Sequence, residues 1–215
     1  MASHCQVPSS KRERIRRVPT QERSRKRVES ILDAAAGVFA ETGFEAATME
    51  SIAERAKTSI GSLYQFFPNK LAVFEAVAGR FIEGSRAMLE QLFGDGGADW
   101  SWEQLLDAAL DRFGAQRDDL DFRAMLVNFQ LYGVYAQADR ALHGQAIDRV
   151  AALARRVAPH LPLAQRKLVA TVTVETLSAL LLHSTREEPS FAKKLLEETK
   201  TLLSRYLAPY MEAKG

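Results

Sequence analysis

From Ser59 to Lys70 the chain reads Ser59-Ile60-Gly61-Ser62-Leu63-Tyr64-Gln65-Phe66-Phe67-Pro68-Asn69-Lys70, a run that combines recognition chemistry with helix-forming residues. On a short helix, Ser59, Ile60, Ser62, Tyr64 and Gln65 fall on faces that packing does not need, while Leu63 and Phe67 can seal it to a neighbour. Hydroxyls and an amide suit phosphate oxygens and base edges, and Ile60 suits a thymine methyl. In mid-helix Gly61 costs about 1 kcal/mol relative to alanine, which raises the question of what surface its backbone must approach. Catalytic patterns are missing: there is no phosphate-binding glycine loop, no H-E-x-x-H, no G-x-S-x-G and no EF-hand loop. Cys5 is the single cysteine, and His143 and His160 have no metal-ligand spacing. His183 reads as a rim or capping residue, and Asp118, Asp119 and Asp121 read as a cap and turn at a helix junction. No enzyme, cofactor or metal site is expected.

The elements that must position this run are helices. Val28, Ile31, Leu32, Ala35, Val38 and Phe39 recur at the three-and-four spacing of one helix face, and Gly43 is suited to end that helix. Thr48 can cap a second short helix from Met49 to about Ala56, and Ser59 can cap a third that Pro68 ends. Asn69 then caps a long fourth helix to Phe93, before the glycines at 94, 96 and 97. Helical patterns follow at about 102–117, 121–137, 139–158, 163–186 and 190–211, and no segment alternates with period two. The expected fold class is all-α, with about nine helices. Two short helices joined by a tight turn and backed by a longer first helix have the layout of a helix-turn-helix reader.

Charge sharpens this reading. The 215 residues carry a net charge of only +2, yet residues 11–27 hold nine basic against two acidic side chains, leaving −5 on the rest. A basic block beside an acidic body points to a polyanion, with nucleic acid the first candidate and an anionic membrane surface the second. Residues 1–27 are expected to form a basic, mobile arm, with Arg25 and Lys26 among its DNA contacts. The apolar run from Leu168 to Leu182 is interrupted by polar residues, and no secretory pattern opens the chain, so a cytoplasmic protein with no membrane partner is expected.

Taken together, the stretch from Thr48 to Ala56 and the run from Ser59 to Lys70 closely resemble the DNA-binding domain of the TetR family of bacterial regulators. Gly61-Ser62-Leu63-Tyr64, Phe67 and Lys70 carry the likeness most strongly, and it covers roughly Val28 to Phe74. The resemblance implies that Thr48, Tyr64 and Lys70 contact DNA phosphates. It also implies that Thr58, Ser59, Ile60, Gly61, Ser62 and Gln65 lie near base edges and phosphates. Lys57 departs from the family's usual turn glycine, Thr58 from a common valine, Ile60 from a frequent basic residue and Phe66 from histidine or tyrosine. A lysine at the turn carries a penalty if the backbone there needs positive φ. The changes at 60 and 66 remove two phosphate partners, which the basic arm is placed to replace.

Residues 81–135 hold nine of the chain's eighteen aromatics. Core packing accounts for many of them, and the resemblance adds an apolar effector cavity, with Phe81, Met88, Phe113, Met125, Phe129 and Tyr132 as its expected lining. The last two helices are apolar on broad faces, and the resemblance implies a dimer interface there through Leu168, Val172, Leu180, Leu202 and Tyr206. The expected organisation is the arm at 1–27, a DNA-binding domain at 28–74 and a ligand-binding and dimerisation domain at 75–215. The function that follows is a homodimeric repressor, released from a near-palindromic double-stranded DNA operator by a small apolar effector. The rival readings are an architectural or non-induced DNA-binding protein, and an all-helical binding protein without DNA function.

Overall fold

The computed structural model describes residues 22–94, 100–115, 119–127 and 136–211. Among them are nine helices and no strand: α1 Glu22–Ala46, α2 Met49–Arg55, α3 Ile60–Phe66, α4 Lys70–Phe93, α5 Trp102–Ala115, α6 Leu120–Val127, α7 Ala136–Val157, α8 Leu163–Ser184 and α9 Pro189–Met211. The expected all-α fold is what the structure has.

Helix α1 corrects the expected extent of the arm. It begins at Glu22 rather than Val28, so Arg25 and Lys26 stand on its exposed first turns. Lys26 pairs with Glu22 at 3.0 Å across one turn, and a glutamate in the first turn favours the helix dipole. The rest of the expected arm, residues 1–21, lies outside the described residues. The predicted face of α1 is buried, with Ile31, Ala35 and Phe39 fully inaccessible. Gly43 interrupts α1 at φ 77°, a left-handed conformation that only glycine adopts without strain.

Thr48, Ser59 and Asn69 cap α2, α3 and α4 as expected, each accepting a hydrogen bond from a first-turn amide. One apolar core joins α1 through α4, with Phe39, Phe44 and Phe74 in mutual ring contact. Ala124 and Met125 of α6 belong to this same core. A second core joins α5, α8 and α9 through Leu106, Leu110, Leu177, Leu181 and Leu203.

Arg80 on α4 ties α6 to α1 within the first of these cores. Its guanidinium donates to both carboxylate oxygens of Asp121 at the start of α6, at 2.6 and 2.7 Å, and to Asp33 and Glu29 of α1 at 2.8 and 3.1 Å. Burial opposes the charge on Arg80, but these carboxylates outweigh it and raise its pKa. Burial pushes the Asp121 carboxyl up, and Arg80 only partly offsets that. Asp119 caps α6, its Oδ1 accepting from the Phe122 amide at 2.8 Å. The expected cap is therefore present, whereas Asp121 serves as Arg80's partner, and Asp118 lies outside the described residues.

Candidate nucleic-acid interface

Helices α2 and α3 begin with hydroxyl caps that leave hydrogen-bonding capacity facing outward. Thr48 Oγ1 accepts from the Ser51 amide at 3.0 Å, and Ser51 Oγ accepts from the Thr48 amide at 3.2 Å, a reciprocal capping box. Ser59 Oγ accepts from the Ser62 amide at 3.2 Å. In each cap the hydroxyl spends a lone pair on the helix and keeps its proton for another acceptor. Thr48 and Ser59 are both exposed, so those protons are available at the surface.

The remainder of α3 divides by helical period. Leu63, Phe66 and Phe67 are buried, while Ile60, Gly61, Tyr64 and Gln65 are exposed and Thr58 is half-buried before them. Tyr64 and Ile60 stand 42% and 38% exposed, so both side chains are accessible on this face. A Cβ at Gly61 would meet no heavy atom within 4 Å, so internal packing does not explain the glycine.

Two placements correct the sequence reading of this surface. Ser62 turns its hydroxyl inward, buried and without a hydrogen-bond partner, because it shares the side of α3 that carries Phe66 one turn on. Phe66 itself is core, 6% exposed, so its position is not a lost phosphate partner.

Lys70 also departs from its expected role as a phosphate grip. Its Nζ donates to the carbonyl oxygens of Phe44, Glu45 and Ala47 at 2.5, 3.1 and 2.7 Å, and lies 4.5 Å from the Phe44 ring centroid. An ammonium has three N–H donors, and all three are committed here. Phe44 and Glu45 lie in the last turn of α1, where carbonyls have no helical partner, and Ala47 follows just beyond it.

The turn from α2 to α3 is tightly held. The amides of Lys57 and Thr58 donate to Glu54 and Ala53, both at 3.0 Å, and Lys57 takes φ 51°. The strained turn anticipated for a lysine at this position is therefore present. Arg55 fixes the end of α2 to α1, gripping both oxygens of Glu41 at 2.6 and 2.7 Å. This guanidinium crosses α1 directly over Gly37, where a Cβ would stand 2.7 Å from it. Its hydrogen bonds hold the Glu41 carboxyl below its ordinary range.

Residues 31–77, which span this arrangement, match the family model for bacterial regulatory proteins of the tetR family. Residues 101–207 match that for a tetracyclin repressor-like C-terminal domain. The chain belongs to the TetR family.

Known members resemble it over different lengths. The HTH-type transcriptional repressor KstR of Mycolicibacterium smegmatis is 32% identical over 120 residues, 56% of each chain. KstR of Rhodococcus jostii is 31% identical over 143 residues, 62% of this chain and 60% of that one. The chain thus spans little more than half the length of these curated relatives. Among solved structures, a TetR-family transcriptional regulator from Streptomyces coelicolor is 30% identical with a TM-score of 0.60, covering 88% of this chain and 99% of that one. SmeT, solved in complex with triclosan, is 25% identical with a TM-score of 0.64, covering 88% and 93%.

Beyond the helix-turn-helix, this TetR-family chain encloses a cavity of about 470 Å³ walled by α4 through α9. Phe81, Met88 and Met125 line it as expected. The side chain of Phe113, and all of Phe129 and Tyr132, lie outside the described residues. The aromatics Trp102 and Phe122 also line the cavity, and reading aromatics overlooks the aliphatic part of the wall, to which Leu105, Leu142, Leu177 and Leu181 contribute. Met125 faces this cavity and is also packed into the helix-turn-helix core.

The apolar residues of α8 serve two faces. Val169, Val174, Leu177 and Leu181 pack inward, while Leu168 and Val172 stand 62% and 36% exposed. On α9, Leu202 is 52% exposed and Phe191 50%, and Tyr206 is half-buried with its ring against Tyr210. Leu180 is half-buried. His183 lies at the exposed end of α8, 3.5 Å from Glu187, the rim position expected of it. Among the described residues no helix is long and apolar enough to cross a membrane.

Proposed function

We propose that this TetR-family chain is a homodimeric repressor that binds a near-palindromic DNA operator and is released from it by a small, mostly apolar effector. Thr48, Thr58, Ser59, Ile60, Gly61, Tyr64 and Gln65 form the reading surface, with Arg25 and Lys26 approaching the flanking phosphates. Lys70 holds the end of α1 against the start of α4 and so sets the angle at which α3 is presented. The division at residues 27 and 74 is a division of labour, since α4 runs unbroken through it and α6 supplies side chains to the DNA-binding core.

The observation that carries the effector reading is Met125, one side chain shared by the cavity wall and the helix-turn-helix core. A ligand that displaces it acts on both, and Asp121 one turn earlier on α6 passes the same motion to Arg80 on α4. Triclosan in SmeT supports an apolar small molecule as the class of effector. The exposed leucines of α8 and α9 support a four-helix dimer interface, through Leu168, Val172, Leu180, Leu202 and Tyr206.

Enrichment of a random duplex pool by the full chain tests the operator reading. The expected product is an inverted repeat with half-sites about 34–36 Å apart, bound with a steep salt dependence. Salt-sensitive binding that enriches no repeat would favour an architectural protein instead.

A further inference from the structure

The polar groups on the cavity wall are unequal in kind, and that inequality selects a ligand charge. Thr173 and Thr185 both line the cavity, but their hydroxyl protons are spent on their own helix, donated to Val169 O at 2.8 Å and Leu182 O at 2.7 Å. Their oxygens retain lone pairs, as do those of Ser85 and Ser178 on the same wall. Glu175 belongs to the lining from an exposed position on α8, at the rim of the cavity. It has no ion-pair partner among the described residues. No lysine or arginine belongs to the described lining, and the one other ionisable side chain there, His143, already has a partner. Among the described lining, hydroxyl oxygens able to accept therefore stand with one carboxylate and with no lysine or arginine.

We infer that the effector is an amphiphile with a basic head group: an apolar body filling the cavity and an ammonium, or a comparable nitrogen cation, held by Glu175 at its mouth. This rests on the effector reading of the cavity and names the chemistry of what enters it. An anionic ligand finds no lysine or arginine on the described wall and leaves a desolvated charge unpaired. A cation meets a carboxylate and hydroxyl oxygens able to accept its protons. The assignment also serves Glu175 itself, which shares the exposed face of α8 with Leu168, Val172 and Ala179. A second copy packed on that face would shut the carboxylate away from water, where a cation beside it becomes more valuable.

A matched series on one rigid body tests this: 4-phenylbenzylamine, 4-phenylbenzyl alcohol and 4-phenylbenzoate, titrated into the full chain at neutral pH and followed by calorimetry and by melting temperature. The amine should bind at least about tenfold more tightly than the carboxylate, with the alcohol between them. Glu175→Gln should bring the amine down to the level of the alcohol, and Glu175→Lys should reverse the order of amine and carboxylate. A parent protein that binds all three alike, or prefers the carboxylate, overturns the head-group inference while leaving an effector cavity in place. Variants that keep the parent's preference for the amine remove Glu175 from the assignment and overturn it. Failure of all three compounds to bind counts against the cavity as a ligand site, and this inference falls with it.

Discussion

At Gly61, on the exposed side of α3, a methyl group would meet no neighbouring element within 4 Å among the described residues. Gly61→Ala should therefore stabilise the fold by up to about 1 kcal/mol through helix propensity, visible as a higher melting temperature. The same variant should lose operator affinity by tenfold or more, because the methyl stands where DNA approaches; unchanged affinity would return Gly61 to a neutral role. Lys70 argues in the opposite direction. With its three donors on carbonyls at the end of α1 and at Ala47 just beyond it, Lys70→Met should lower stability by about 1–3 kcal/mol and weaken operator binding without altering the salt slope. A shallower slope would reinstate a phosphate contact. The exposed hydroxyls, tyrosine and glutamine of this surface are legible in the sequence, because helical period alone separates them from Leu63 and Phe67. The engagements of Lys70 and Ser62 are not, since they depend on where carbonyls point after Gly43 and on how deeply α3 sits against α1.

Among the helices, α6 has the least distinctive sequence and a central position. It is eight residues long, and only its contacts reveal that Ala124 and Met125 complete a core begun by α1 to α4. The nine-helix layout and the caps at Thr48, Ser59 and Asn69 follow from periodicity and capping chemistry, but the pairing of Asp121 with Arg80 spans forty-one positions. Nothing local announces it. Asp121→Asn should reduce the factor by which effector weakens operator binding, because α6 then pulls less firmly on α4. Anisotropy titrations with and without effector measure that factor, and an unchanged factor would remove α6 as the link. The pH response has a definite sign at this site. Burial raises the Asp121 carboxyl in the folded chain, so the folded state takes up this proton before the unfolded state does. Its contribution therefore favours folding as pH falls through that range and is lost as pH rises through the raised value. Glu41 runs the other way, its pairing with Arg55 contributing above the ordinary carboxylate range and fading as pH falls through the lowered value.

For the molecule as a whole, two surfaces and one cavity must act together. Leu202 is half-exposed on the single chain, so Leu202→Lys places no charge in the interior of a protomer. In a two-fold interface the lysine appears twice, unpaired on both sides. The variant should remain helical by circular dichroism, sediment as a monomer and bind operator at least about tenfold more weakly, since one reading helix cannot span two half-sites. Sedimentation as a dimer would move the interface elsewhere. The split of α8 into an inward and an outward apolar face is only partly legible, because leucine at 168, 177, 180 and 181 reads as one broad stripe until α9 and the cavity claim their shares.

The central claim is that one cavity and one DNA surface are linked, and linkage makes it measurable in both directions. Operator affinity of the full chain would be measured by anisotropy with and without a cavity ligand, and ligand affinity by calorimetry with and without operator. The account predicts that each weakens the other by the same factor, within the roughly 5- to 150-fold range usual for such coupling. A ligand that raises the melting temperature through the cavity yet leaves operator affinity unchanged at every concentration would contradict it.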